Sequence, residues 1–114
     1  MREPPVDMHS IPFERTDWPT LPASERPGAT GTVRSRPRQL RTIRVRMVEY
    51  SPGYLTDHWC EKGHILLCVE GTLQTELADG TTVELLPGIC YQVSDGTLSH
   101  PSSTPTGASL FIVD

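Results

Sequence analysis

The chain has 114 residues, 36% of them apolar, 11 prolines and a formal net charge of −4. That length makes one small domain with a modest core and leaves no room for a second catalytic domain. The acidic balance argues against nucleic-acid binding through general electrostatics. No run approaches the roughly 18 consecutive apolar residues of a membrane span, and residues 1–5 lack the apolar stretch of a secretory signal, so a soluble cytoplasmic protein is expected.

Residues 1–28 hold six of the prolines, which forbids a long helix and favours an extended arm. Ile11, Phe13, Trp18 and Leu21 are its isolated apolar anchors, too sparse for a core but able to plug a groove. The arm is therefore expected to strap across the domain of residues 29–114, or across a neighbouring subunit, with its first ten residues frayed. A disordered tail is the alternative.

From Gly28 onward, short segments rich in Val, Ile, Leu, Thr and Tyr alternate with turn signals every eight to twelve residues, which is an all-β rhythm with no helix longer than a turn. Residues 39–50 alternate, with Ile43, Val45 and Met47 on one face and Arg44 and Arg46 on the other. Arg44 and Arg46 belong to a cluster with Arg34, Arg36, Arg38 and Arg41. Such a cluster could be a phosphate or carboxylate site, but the reading adopted is a solvated hairpin with its arginines on the wet face.

Turns are expected at 51–53 and 61–63, a tight hairpin at Glu70-Gly71, a two-residue hairpin at Asp79-Gly80, and breaks at 87–88, 95–96 and 105–107. The segments 64–69 and 108–113 are apolar on both faces, which calls for a cover on the outer side and points to a homodimer. The three cysteines do not suggest a disulfide framework and are taken as reduced, with Cys68 and Cys90 in the core.

The chemistry-bearing residues are His58, Cys60, His64 and His100. His58 and Cys60 lie two apart and share a strand face. His64 opens the next strand, and His100 follows a third strand that a closed sheet could bring opposite. Three imidazoles and a thiolate suit one divalent transition metal, namely zinc, iron, copper or nickel. The spacing alone is a weak signal.

Residues 53–71 resemble the first motif of the cupin superfamily, Gly-x5-His-x-His-x3-Glu-x6-Gly. His58 falls on its first His, Cys60 on its second, His64 on the Glu and Gly71 on the closing Gly. Residues 88–104 are similar to the second motif, Gly-x5-Pro-x-Gly-x2-His-x3-Asn, with Gly88, Gly96 and His100 matching and Ser94 and Thr104 replacing the Pro and Asn. Gly53 stands one residue too close to His58, and Gly96 one residue too far from His100. Asp57-His58-Trp59-Cys60, the run 44–53 before it and the ending 111–114 resemble the small DHCW-motif cupins, although the last two letters here are Trp-Cys.

The resemblance implies a jelly-roll (double-stranded β-helix) barrel, with His58, Cys60, His64 and His100 around one metal. The thiolate softens the site relative to the family's His, His, Glu and His. Tyr91 would face inward and orient a ligand or a metal-bound water, or else serve as a hydrogen-bonded core tyrosine. Asp57 and Glu61 would orient the second nitrogen of a ligand histidine, and Trp59 would pack outside. Three functions follow: a dioxygenase- or isomerase-like metalloenzyme acting on a small polar molecule in the barrel, a non-catalytic ligand-binding or sensing module, or a structural metal site in a dimeric protein.

Overall fold

The computed structural model describes residues 9–56, 62–96 and 99–114, the last without the side chains of Ser99 and His100. Its strands are β1 (Ser24–Pro27), β2 (Thr32–Leu40), β3 (Ile43–Tyr50), β4 (Tyr54–Leu55), β5 (His64–Gly71), β6 (Leu73–Leu77), β7 (Thr82–Leu85), β8 (Cys90–Val93), β9 (Ser99–Thr104) and β10 (Ala108–Val113). Among the described residues the one helical element is a 3-10 turn at Trp18–Thr20. All pairings are antiparallel and form a six-stranded sheet, β1-β2-β3-β10-β5-β8, and a four-stranded sheet, β4-β9-β6-β7. The chain crosses repeatedly from one sheet to the other, which is the jelly-roll arrangement expected from the sequence.

The inner faces meet in a core of Val48, Leu66, Cys68, Leu73, Leu85, Ala108, Leu110 and Ile112, with Val33, Tyr50, Val83 and Tyr91 packed against it. These residues occupy alternate positions along their strands, as a sheet with one buried face requires. In β10 the pattern is strict, with Ala108, Leu110 and Ile112 buried and Ser109, Phe111 and Val113 less so.

Five local expectations are corrected. Glu70-Gly71 is not a hairpin: β5 pairs with β8 and β10, while β6 belongs to the other sheet, so the chain turns a corner here. Gly71 is required at that corner, because its φ is +75° and a Cβ would lie 2.0 Å from the carbonyl oxygen of Gly107. The loop at Asp79-Gly80 has three residues, since the Leu77 amide donates to the Thr81 carbonyl at 2.7 Å, leaving Gly80 (φ +89°) to close it in the left-handed region. Cys90 is exposed while Cys68 is buried, because Cys90 pairs with Leu67 on the outer face of β5.

The fourth correction concerns β3. Arg44 and Arg46 share the parity of buried Val48 and look into the barrel, whereas Ile43, Val45 and Met47 lie on the outside. The alternation was legible, but its sense depends on what covers the outer face. Met47 pairs with Phe111 there, and Trp18 of the arm meets Phe111 edge-on, with ring centroids 6.1 Å apart. The same face carries two ion pairs, Arg36 with Glu49 at 2.8 Å and Arg38 with Glu14 of the arm, and Arg36 Nε donates to the Leu21 carbonyl at 3.3 Å. Phe13, expected as an anchor, is fully exposed. No helix of the described residues is long and apolar enough to cross a membrane.

Candidate functional site

One half of the barrel is filled by the core, and the other half encloses a cavity of about 250 Å³. Its floor is apolar, formed by Val33, Val48, Leu66 and Ile112, with Tyr50 and Tyr54 stacked beside it at a centroid distance of 4.2 Å. Thr56 and Ser102 line the side of the smaller sheet, where the Thr56 hydroxyl donates to the Ser102 carbonyl at 2.9 Å and accepts from the Ser102 amide at 2.9 Å. The remaining wall is polar, with the charged side chains of Arg26, Arg44, Arg46, Lys62 and Asp114 and the imidazole of His64.

His64 begins β5 at the mouth, where it lines both the cavity and a shallower hollow of about 530 Å³ on the rim. Its placement depends on Gly63. A Cβ there would lie 2.8 Å from the Val93 carbonyl oxygen, so only glycine lets β5 approach β8 closely enough to register His64 against Val93. The Gly63 amide donates to Asp95 Oδ1 at 2.7 Å and ties the strand entrance to the β8–β9 turn. From β8, the Tyr91 hydroxyl shares a hydrogen bond with His64 Nε2 at 3.0 Å, its direction set by the imidazole tautomer. The inward orientation expected of Tyr91 is thus observed.

Arg44, Arg46 and Asp114 make a second cluster. The Asp114 side chain is only 1% exposed. It accepts two bonds from Arg44, Nε to Oδ1 at 2.8 Å and Nη2 to Oδ2 at 2.9 Å, and a third from Arg46 Nη2 at 3.0 Å. Burial pushes the Asp114 carboxyl up, but the Arg44 hydrogen bonds and the charges of Arg46, Arg44 and Lys62 together outweigh it and hold it below the usual carboxylate range. The same hydrogen bonds raise Arg44. A backbone pair, Arg44 amide to Asp114 carbonyl at 2.7 Å and the reverse at 2.8 Å, fixes the two residues against each other.

Of the sequence-derived metal ligands, His64 is on the cavity wall. His58 and Cys60 lie outside the described residues, as do Asp57, Trp59, Glu61 and the side chain of His100. The residue missed entirely is Asp114, and Arg44 and Arg46 were assigned to the wrong side. A signal existed: Ala108, Leu110, Ile112 and Asp114 continue one period-2 series, as do Arg44, Arg46 and Val48, so a buried series in each strand ends on complementary charges.

An antiparallel two-sheet barrel, filled at one end and hollow at the other, is the class of architecture that this geometry defines. The fold is that of the cupin superfamily, as comparison with solved structures shows. A RmlC-like cupin from Shewanella frigidimarina superposes with a TM-score of 0.68 at 16% identity, over 90% of this chain and 89% of that one. A cupin-superfamily sugar phosphate isomerase from Silicibacter pomeroyi gives 0.67 at 19% identity, over 88% and 74%. Ectoine synthase from P. lautus gives 0.60 at 23% identity, over 74% and 64%. No family model matches the chain, and no curated protein matches it in sequence.

Proposed function

We propose that this protein is a small metal-binding cupin, a metalloenzyme of isomerase- or dioxygenase-like type acting on a small polar molecule held in the barrel. One divalent transition metal, zinc, iron, copper or nickel, would be held by His58, Cys60, His64 and His100. The observation that carries this reading is the position of His64, on the wall of an internal cavity with Tyr91 hydrogen-bonded to its Nε2. A metal-ligating histidine gives one ring nitrogen to the metal and holds its orientation through a hydrogen bond at the other, a pattern that the His64–Tyr91 pair fits.

A bound metal would supply polarisation of a carbonyl or activation of water. The chain's own residues contribute the rest: Tyr91 orients His64, the floor of Val48, Leu66 and Ile112 excludes water, and the Arg44–Arg46–Asp114 cluster makes a charged wall beside them on the same sheet. Two structural neighbours are enzymes of small molecules, a sugar phosphate isomerase and an ectoine synthase, which supports turnover over simple binding. The outer apolar residues Ile65 and Val69, 52% and 41% exposed, support a homodimer.

The test is elemental analysis of untagged protein purified without chelator. About one metal per chain is expected, lost in His64→Ala and Cys60→Ser and kept in Cys68→Ser, whose sulfur lies in the core. Equal content in all four proteins would overturn the ligand set. Metal without turnover of any small molecule would leave a binding module.

A further inference from the structure

Within the described lining of the cavity, Arg44 and Arg46 share the side-chain carboxylate of Asp114. Arg44 spends its planar fork on both Asp114 oxygens. Arg46 does not: it gives Asp114 one bond, from Nη2, and its Nε is buried with no hydrogen-bond partner among the described residues. A buried guanidinium N–H without an acceptor is costly, and the Asp114 carboxylate, shared between Arg44 and Arg46, leaves that Arg46 N–H unserved. The site is built for one more acceptor carrying negative charge.

The remaining walls restrict what that acceptor is attached to. Val48, Leu66 and Ile112 are 1%, 3% and 2% exposed and form an apolar floor next to Arg46, which would leave a bare inorganic anion without partners on that side. At about 250 Å³ the cavity falls below the ~300–1,000 Å³ of drug-sized pockets and suits a body of a few carbons. Asp114 already shows the geometry in which these guanidinium groups hold a carboxylate.

We propose that the barrel binds a small organic carboxylate, with Arg46 taking its head group and Val48, Leu66 and Ile112 taking its apolar body. The inference rests on the barrel being a small-molecule pocket and not on the metal.

The experiment is titration of the full chain with butyrate, butyramide and inorganic phosphate, followed by calorimetry and by the Arg46 Nε–H resonance. Butyrate should bind and shift that resonance, with butyramide at least about tenfold weaker, the loss expected when a charge-assisted hydrogen bond goes, and phosphate weaker by a similar factor because it has no apolar body for the floor. Arg46→Gln should lower butyrate affinity by a similar factor, and Arg46→Lys should restore part of it. If Arg46→Gln fails to fold, the wild-type Nε–H shift decides.

Equal binding of butyrate and butyramide, equal binding of phosphate, or an unmoved Nε–H resonance overturns the proposal. Repeating the titration on chelator-treated protein separates the two readings. Butyrate binding that needs metal and ignores Arg46→Gln sinks the carboxylate site and leaves the metal standing. Arg46-dependent binding in a protein that takes up no metal does the reverse.

Discussion

The two halves of the barrel are built from the same strands and differ in what those strands place inside. In the closed half, Leu110, Cys68, Leu73 and Leu85 are at most 1% exposed and leave no space. In the open half, the continuations of the same strands supply Arg44 and Arg46 from β3, His64 from β5 and, just past β10, Asp114. One half contributes stability through close packing, and the other keeps buried charge that packing alone would not select. A strand can do both because period-2 alternation fixes which face a residue occupies, not whether it is apolar.

The comparison can be broken most sharply in the closed half. Leu110→Ala removes a fully buried side chain between β3 and β5, and should cost about 3 kcal/mol of unfolding free energy, as read by denaturant titration. Ligand binding in the surviving folded protein should change little.

In the open half, Asp114→Asn leaves Arg44 and Arg46 facing each other without a counter-charge. Both arginines retain some solvent contact, so the expected cost is smaller, about 1–3 kcal/mol at neutral pH. The pH dependence gives a check with a definite sign. The folded-state pKa of Asp114 is depressed, so its stabilisation is complete above the unfolded carboxylate value of about 3.9 and is lost as pH falls through the lower folded value. Melting temperatures of wild type and variant should therefore differ most near pH 7 and converge below about pH 4. A gap that widens on acidification would mean that the cluster does not act as an ion pair.

The smallest effect belongs to the outer face. Glu49→Gln breaks the Arg36 ion pair, whose carboxylate is 47% exposed, and should shift stability by less than about 1 kcal/mol, with the difference fading at high salt. A larger loss would show that this face is more tightly covered than its exposure indicates.

Much of the barrel was legible along the chain. Turn residues punctuated apolar β-rich segments, and Gly53 to Gly71 and Gly88 to Thr104 carried the resemblance to the cupin motifs that implied the fold. The inward orientation of Tyr91 was legible because the parity of its strand can be counted from its neighbours. Arg44 and Arg46 were not, because alternation in β3 offers two consistent solutions and hydrophobicity favours the wrong one. Glu70-Gly71 failed for a related reason: a turn signal marks where the chain bends, not which sheet receives the next strand.

By itself the sequence determined the all-β class and the positions of most turns, since these follow from local propensity and backbone freedom at glycine. Only the tertiary structure decided which face of β3 is inside and that Asp114 neutralises arginines some seventy residues away. It also decided that Gly63 must be small for His64 to reach the cavity. Those facts depend on which strands become neighbours, and strand pairing is a long-range choice made by the packing of the whole barrel.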